Sequence, residues 1–275
     1  MDPERNREKV GKKEAVTEEE FLKEYDPSAF ERPSIAVDVL VFTTEKTVLK
    51  ILLVRRSGMP FQGRWSLPGT FIRMEETAEQ AAERALSDKT GAERIFLEQL
   101  YTFTALDRDP RMRIISVAYM AMVPRGTLSF KAGSEKGQAM LFDVVRRQEE
   151  GILLVSGGIS LRLSDLAFDH GKILETALER MAGKIEYTDI GYEFLEDKDR
   201  FTLSELRNIY DAVAGKTYDI GNFRRFIKNR YIVPGRIVNN HEEWKEEEKR
   251  KVGRPGVTYR YTGVNRNRPG VSTRQ

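Results

Sequence analysis

The order of extended and helical segments between residues 34 and 181 constrains the fold of this chain more than any other feature. A β-branched run from Ser34 to Val41, with apolar residues at alternate positions, predicts a first strand. A stripe of alanines that ends at Leu86 predicts an amphipathic helix. Strands are predicted over 34–41, 48–54, 95–105 and 113–123, shorter extended segments over 138–147, 151–156 and 159–163, and helices over 75–90 and 170–181. Because strands and helices do not alternate regularly, we predict an α+β sandwich rather than a doubly wound sheet.

Length and composition favour a cytoplasmic protein of two domains. With 275 residues, each of two domains would be long enough to bury its own core. No apolar run approaches the roughly 20 residues that a membrane-spanning helix requires, and the first residues lack the apolar core of a signal peptide. The chain has no cysteine, which excludes disulfides, cysteine nucleophiles and cysteine-based zinc sites, and its two histidines argue against a histidine-rich metal centre. We therefore expect no membrane partner.

The charge of the chain is distributed unevenly. Residues 201–275 contain 16 lysines and arginines against 8 acidic residues, whereas residues 1–200 contain 30 against 35. The net charge of +3 thus conceals a basic C-terminal third on an acidic body. Such an asymmetry indicates a phosphate-binding module attached to a second domain, with a solvated basic tail as the alternative.

The segment after Phe201 carries the sequence signals of a helix start. Thr202 followed three residues later by Glu205 is a capping box, in which each side chain binds the backbone N–H of the other residue. Phe201 and Leu206 occupy the two positions of a hydrophobic staple. Gly215 is placed to end the helix.

A second helix is predicted from Asp219 to Asn229, and its polar face is basic. Two helices joined by a short turn, the second with a basic face, are typical of a helix-turn-helix. Extended segments at 231–238 and 257–261 flank a basic hairpin, which predicts a wing that reaches phosphates or the minor groove. The predicted DNA contacts are Asn222, Arg224, Arg225 and Lys228 on the helix and Lys251 and Arg254 on the wing. Because such helix pairs also mediate protein contacts, a protein-interaction adaptor is the alternative for this module.

The segment from Gly69 to Ala92 resembles the Nudix box, a loop–helix–loop motif. In that motif three helical carboxylates at i, i+3 and i+4 share one face and hold Mg²⁺ ions that bridge a diphosphate. Aligning Arg84 and Gly91 with the motif places Glu76 at the loop carboxylate position, with one residue more than usual after Gly69.

The three metal-binding positions of the box are altered to Ala85, Asp88 and Lys89. One carboxylate is absent, one is a methylene shorter, and one is replaced by a cation that repels a divalent ion. We therefore expect no catalytic residue and no required cofactor, with Mg²⁺ involved only if residual hydrolase activity exists. Glu79 and Glu83, four residues apart on the helix, are the alternative metal ligands.

The resemblance extends from about residue 25 to about residue 262. The segments YDPSAFERPSIAVDVLVF, LPGTF, LEQLYTF, DRDPRMRIISVAY, LAFDH and GRPGVTYRY are similar to those of the Nudix-related transcriptional regulators. That family implies a Nudix-type α/β/α sandwich followed by a winged helix-turn-helix domain, a homodimer, a palindromic operator DNA, and an effector that is ADP-ribose or a sugar. The implied organisation is an N-terminal arm (1–30), a Nudix-like effector-binding domain (31–165), a connecting helical segment (166–200), a winged-helix domain (201–263) and a disordered tail (264–275).

By this resemblance, an effector pocket lies where the second strand meets the Pro/Gly-rich loop and the box. Arginines there are suited to phosphate or sugar hydroxyls, and aromatic rings to stacking on a base or a sugar face. The predicted ligand contacts are Arg55, Arg56, Phe61, Trp65, Arg73, Asp107, Arg111, Arg113 and His170. The alternatives stay open: Phe61 and Trp65 could belong to the core, the charged cluster 107–113 could be a salt-bridged hairpin, and His170 could be a helix-capping or core residue.

The sequence thus leads to one principal functional hypothesis and two rivals. The principal one is an effector-responsive DNA-binding regulator, most simply a repressor. The first rival is an active Nudix hydrolase of a nucleoside-diphosphate derivative such as ADP-ribose. The second is a protein-interaction adaptor without a DNA role.

Overall fold

The structure, a computed structural model, describes residues 17–90, 95–128, 138–240 and 257–263. The predicted wing residues Lys251 and Arg254 and the predicted tail 264–275 lie outside these ranges. By their internal contacts, residues 1–33 and 34–275 form two separate units. The described part of the first unit contains helix α1 (Glu18–Glu24) and a 3₁₀ turn at Pro27–Ala29.

The second unit is built around a mixed β-sheet. Its strands are β1 (Ser34–Glu45), β2 (Val48–Arg55), β3 (Trp65–Ser66), β4 (Gly69–Phe71), β5 (Phe96–Phe103), β6 (Ile114–Met122), β7 (Ala139–Arg147), β8 (Gly151–Ser156) and β9 (Ile159–Arg162). The main path of the sheet runs in the order β5–β6–β1–β2–β7–β8–β9, with β3 paired to β2 and β4 paired to β1. Strands β1 and β6 are parallel, and the other pairs are antiparallel.

Helices cover both faces of this sheet, because β1 is apolar on both sides. Val37 and Val39 point to one face and pack against helix α2 (Ala78–Thr90), which contributes Ala81, Ala82 and Leu86. Leu40 and Phe42 point to the other face and pack in a second cluster with helix α3 (His170–Lys184). This alternation follows from the two-residue period of a strand. The predicted α/β/α sandwich is confirmed.

The C-terminal module is a helix pair with a small antiparallel sheet. It comprises β10 (Phe201–Thr202), α4 (Leu203–Ala214), α5 (Ile220–Ile227), β11 (Ile237–Asn239) and β12 (Thr258–Tyr261), with the sheet order β10–β12–β11. The Thr202–Glu205 capping box is formed in both directions, and Gly215 ends α4 in the left-handed conformation with φ of 67°. The predicted winged helix-turn-helix is confirmed.

Two predicted element boundaries are wrong. Residues 231–238 do not form one extended segment, because the backbone continues from α5 into a π-helical turn at Lys228–Ile232, and only Ile237–Asn239 is a strand. Tyr231 is buried in this turn, so tertiary packing outweighs the β-branched composition of the segment. Helix α2 begins at Ala78 rather than at residue 75. The preceding residues form a loop in which the backbone N–H of Arg73 donates to Glu76 Oε1.

The two modules share one apolar core, although the length of the chain suggested one core each. A single cluster contains Leu40 and Phe142 from the large sheet, Ile173 from α3, and Leu206 and Phe223 from the helix pair. Arg146 on β7 also donates to the carbonyls of Ala212 and Val213 at the end of α4. The helix pair is therefore packed directly on the sandwich. No helix in the described ranges is both long enough and apolar enough to cross a bilayer.

Candidate functional site

A cavity of about 310 Å³ opens on the α3 face of the sheet. Strands β1 and β4, the loop before β6, and the loop that leads into α3 form its walls. Its ionisable lining residues are Asp38, Arg56, Arg108, Asp109, Arg111 and His170, and its aromatic lining residues include Phe71 and Phe168. Because the arginines of the lining outnumber its carboxylates and aromatic rings lie beside them, the cavity is suited to a polar ligand that carries negative charge.

The floor of the cavity is a buried ion-pair network centred on Arg108. Its guanidinium donates to Asp169 through two nitrogens, at 2.9 and 3.0 Å, and to Asp38 Oδ2 at 3.1 Å. Asp38 also accepts a hydrogen bond of 2.6 Å from Ser116 Oγ. Arg108 and Asp38 are each only 7% exposed. Each buried carboxylate is paired with the same guanidinium, which is the condition for keeping these charges inside the protein.

Gly69 allows β4 to approach this network closely. A Cβ atom at position 69 would lie 2.6 Å from Asp38 Oδ1 and 2.7 Å from the carbonyl oxygen of Val37. Only glycine fits here without displacing the backbone of β1. The first glycine of the box-like segment therefore has a steric role at the cavity floor.

His170, the first residue of α3, has a defined tautomer. Its Nδ1 accepts a hydrogen bond of 2.9 Å from the backbone N–H of Leu67, so the proton of the neutral ring is on Nε2. Nε2 lies 3.4 Å from Asp38 Oδ1. Burial lowers the pKa of His170, and the Asp38 and Asp169 carboxylates oppose this effect only in part. His170 thus presents a neutral N–H donor to the cavity.

Two guanidinium groups flank the ring of Phe168 at the cavity rim. The Arg56 guanidinium lies 4.7 Å from the ring centroid, and that of Arg111 lies 5.8 Å from it. Phe168 adopts a left-handed backbone conformation with φ of 55°, which costs a bulky residue free energy and indicates a functional constraint. Burial and the neighbouring Arg111 lower the pKa of Arg56.

The two rim arginines differ in their partners. Arg111 donates twice to Asp109, at 2.8 and 3.0 Å. Arg56 donates to the carbonyl oxygen of Pro60 at 2.8 Å and, among the described residues, forms no salt bridge with a carboxylate. A guanidinium that forms no salt bridge among the described residues and lines a cavity is suited to receive an anionic ligand.

Three of the residues predicted from the sequence meet in this cavity: Arg56, Arg111 and His170. The other predicted ligand contacts do not line it. Trp65 belongs to the core, where its ring meets Phe142 edge-on at 4.8 Å, and Phe61 packs behind Phe168 at 4.9 Å. Arg55 donates to the carbonyl oxygen of Gly63, Arg113 donates to that of Ala105, and Arg73 and Asp107 are exposed.

Asp38, Arg108 and Phe168 line the cavity but are not among the residues predicted from the sequence. Asp38 left a signal, because it is a lone carboxylate in an otherwise apolar strand, and such a residue requires a partner. Arg108 was noticed only as part of a charged cluster, since its partners are 70 and 61 residues away in the chain. Phe168 left no signal of its own.

The described residues of the box-like segment do not fit a magnesium site. Arg84 donates to Glu76 through two nitrogens, at 2.5 and 3.0 Å, and to Thr70 Oγ1. The hydrogen bonds from Arg84 lower the pKa of Glu76 to about 2. Ala85 is only 6% exposed and packs in the apolar cluster beneath α2. Glu79 and Glu83 are exposed, and the side chains of Asp88 and Lys89 lie outside the description.

In addition, no group of three histidine or acidic residues within the described ranges could hold a metal ion.

The second helix of the C-terminal pair presents its predicted basic face to solvent. Asn222, Arg224, Arg225 and Lys228 are all exposed, whereas Phe223 and Ile227 are buried. The Asp219 side chain accepts from the backbone N–H of Asn222 and fixes the start of the helix. Arg225 donates to Asn222 Oδ1 at 2.8 Å, which orders two of these side chains.

The sandwich contains a cavity suited to an anionic ligand, which defines it as a ligand-binding domain of the Nudix type. It is joined to a helix-turn-helix, which defines a domain of the DNA-binding type. The NUDIX domain family model matches residues 32–156, and the NrtR DNA-binding winged helix domain model matches residues 191–261. The chain is 32% identical, over 247 residues, to the ADPR responsive transcriptional repressor NtrR of Acinetobacter baylyi, covering 89% of this chain and 88% of the relative. It therefore belongs to the family of Nudix-related transcriptional regulators with an NrtR-type winged helix.

Solved structures share this architecture over nearly the whole length. A MutT/nudix family protein from Enterococcus faecalis superposes with a TM-score of 0.69 at 26% identity, covering 90% of this chain and 94% of that one. Shewanella oneidensis NrtR, complexed with a 27mer DNA, superposes with a TM-score of 0.62 at 28% identity, covering 82% of this chain and 93% of that one.

A second relative by sequence matches only about half of the chain. The ADP-ribose pyrophosphatase of Methanocaldococcus jannaschii is 34% identical over 143 residues, which are 52% of this chain and 72% of the relative.

Proposed function

We propose that this protein is a transcriptional repressor whose affinity for operator DNA is set by ADP-ribose or a closely related compound bound in the α3-face cavity. The observation that carries the proposal is the Arg56 guanidinium, which has no carboxylate partner among the described residues and stands at the cavity rim. The same chain exposes a basic helix of an NrtR-type winged helix. A relative that matches over both modules is named as an ADPR responsive repressor.

The cavity favours a diphosphate over an uncharged sugar as the effector. Arg56 and Arg111 offer planar donor groups that match phosphate oxygens. Behind them, the Nε2–H of His170 and the carboxylate of Asp38 offer one donor and one acceptor to ribose hydroxyls. A free sugar would leave the rim guanidinium without a counter-ion. A sugar effector therefore remains the second candidate, supported by the floor of the cavity only.

The test is the binding of a fluorescent duplex from the promoter region of the chain's own gene, measured by anisotropy with and without ADP-ribose or ribose. We expect ADP-ribose, and not ribose, to change the DNA affinity. Arg56→Met should weaken ADP-ribose binding by about 1.5–3 kcal/mol, because it removes a charged hydrogen-bond donor. Arg64→Met, an exposed arginine that does not line the cavity, is the matched control. Equal responses to ADP-ribose and ribose would refute the diphosphate assignment.

We also propose that the protein binds its effector without hydrolysing it and needs no cofactor. The Arg84–Glu76 ion pair and the buried Ala85 support this proposal. The alternative, an ADP-ribose hydrolase, is favoured by the similarity to an ADP-ribose pyrophosphatase. Incubation with ADP-ribose and Mg²⁺, followed by chromatography of the nucleotides, separates the two. Turnover on the scale of seconds would establish the hydrolase.

A repressor of this kind would act in the cytoplasm as a homodimer on a palindromic operator. One winged helix covers only a half-site, and a two-fold symmetric dimer places two recognition helices about one turn of DNA apart. Sedimentation of the full chain alone and with operator DNA tests this proposal. We expect two chains per duplex.

A further inference from the structure

Helix α3 connects the cavity to the winged helix. Its first residue, His170, lines the cavity, and its 15 residues extend over about 22 Å at the usual rise of a helix. Ile173, Ala177 and Met181 are completely buried along it. The helix is therefore embedded in the core and can shift only as a rigid element.

The start of α3 is fastened to the charged floor of the cavity. Asp169, which immediately precedes the helix, forms the two-nitrogen ion pair with Arg108. His170 is held by the backbone N–H of Leu67. Arg108 is also bound to Asp38, so any ligand that engages Asp38 or Arg108 changes the balance of forces on Asp169.

The end of α3 is fastened to the winged helix. We name residues 186–189, just beyond the helix, the α3 tail. Its backbone is tied to the last turn of α3, because the N–H groups of Tyr187 and Thr188 both donate to the carbonyl oxygen of Lys184. These two hydrogen bonds couple the tail to the end of the helix.

Each residue of the α3 tail accepts a hydrogen bond from the winged helix. Glu186 accepts from Tyr218 Oη at 2.6 Å and from Lys216 Nζ at 3.2 Å. The carbonyl oxygens of Tyr187 and Thr188 accept from Arg230 and from Tyr231 Oη. Asp189 Oδ2 accepts from Arg236 and from Tyr261 Oη. These donors lie in the turn before α5, in the π-helical turn after it, directly before β11 and in β12. The tail therefore contacts the segments on both sides of the recognition helix α5.

This joint is polar and incompletely satisfied. Asp189 Oδ1 and the hydroxyl of Tyr192 are buried and have no hydrogen-bond partner among the described residues. Buried polar atoms without partners are rare in folded proteins, so these two atoms leave the joint with unused hydrogen-bonding capacity. A joint of this kind can exchange partners when the tail shifts by the 1–2 Å that is typical of helix movements in allosteric proteins.

We propose that the α3 tail transmits effector binding to the DNA-binding module, with Asp189 and Tyr231 as positioning residues. The inference rests on the proposed function, because it assumes that one ligand in the cavity changes DNA affinity. An effector that engages the Arg108 network changes the position of Asp169, and α3 then shifts along the core. The tail moves with α3 and changes the position of α5. The coupling between the two sites thus depends on one helix rather than on the whole contact surface of the modules.

The experiment measures the coupling factor, which is the ratio of the Kd for promoter DNA with and without saturating ADP-ribose, on the full chain. Wild type is compared with Asp189→Asn, Tyr231→Phe and the control Arg146→Met. Arg146 also joins the two modules, through the end of α4, but it does not touch the α3 tail. ADP-ribose affinity is measured separately for each variant, and it should respond to DNA by the same factor.

We expect a wild-type factor within the usual range of about 5–150-fold. In Asp189→Asn and Tyr231→Phe the coupling factor should fall to within about threefold of unity. The affinity for DNA alone and the affinity for ADP-ribose alone should stay near those of wild type. Arg146→Met should keep the wild-type coupling factor. If Asp189→Asn fails to fold, Tyr231→Phe decides alone, since it removes a single hydroxyl. Wild-type coupling in the tail variants, or equal loss in Arg146→Met, would overturn the inference alone. No coupling in wild type would overturn the proposed function, and the inference with it.

Discussion

Replacing Arg108 by methionine tests whether the cavity floor is a compensated charge network. The substitution keeps most of the side-chain volume but removes three hydrogen bonds, two to Asp169 and one to Asp38. Asp38 would then be a carboxylate at 7% exposure with Ser116 as its remaining hydroxyl donor. Removal of one partner from a buried ion pair typically costs about 3–5 kcal/mol, because the other charge stays buried without compensation. We expect a loss of this size for Arg108→Met at pH 7.

The measurement is urea unfolding of the full chain, followed by circular dichroism, for Arg108→Met, Arg108→Met/Asp38→Asn and the control Arg113→Met. Arg113 is exposed and donates to the carbonyl oxygen of Ala105, so its loss should change the free energy of unfolding by less than about 0.5 kcal/mol. The double variant should recover about 1–2 kcal/mol of the loss, because it removes one of the uncompensated charges. If Arg108→Met costs less than about 1 kcal/mol, or if the two substitutions add simply, the floor is not a compensated network and the reasoning fails.

Three further predictions concern the recognition helix, the cavity glycine and the pH dependence of stability. Arg224→Gln/Arg225→Gln should weaken operator binding and reduce the slope of log Kd against log salt by about 2, because two phosphate contacts are lost; an unchanged slope in a salt-titrated gel shift would remove both residues from the DNA interface. Gly69→Ala should destabilise the protein by about 1–3 kcal/mol through contact with the backbone of β1, whereas Gly58→Ala, where a Cβ meets nothing within 4 Å, should be neutral in thermal unfolding. Burial lowers the pKa of His170 below its usual 6.5, so the unfolded chain binds this proton more readily than the folded protein does. The stability that the neutral ring contributes is therefore complete above about pH 6.5 and is lost as the pH falls below that value. The free energy of unfolding of His170→Gln should therefore decline less than that of wild type between pH 7 and pH 5.5; parallel declines in urea titrations would show that His170 does not control this window.

Features that depend on neighbouring residues could be predicted from the amino-acid sequence. The capping box of Thr202 and Glu205 and the left-handed Gly215 were predictable because both are set within one helical turn. The β-branched run from Ser34 to Val41 similarly predicted the first strand, which the structure contains as β1. The loss of carboxylates from the box-like segment is a property of residue identity alone, and so is the basic face of α5.

Contacts between residues that are distant in the chain could not be predicted, because they depend on how the elements pack. Asp38, Arg108 and His170 form the cavity floor because β1, the loop before β6 and the start of α3 converge, and no local pattern encodes that convergence. Trp65 lies in the core and Arg56 lies at the cavity rim, although both are near the same Pro/Gly-rich loop. Their different positions likewise depend on how the elements pack. The contacts of the α3 tail join residues that are 30 to 72 positions apart in the chain. They depend on how the helices and strands pack, and no local sequence pattern specifies that packing. Periodicity specifies which face of an element is buried, but the register between elements specifies the site.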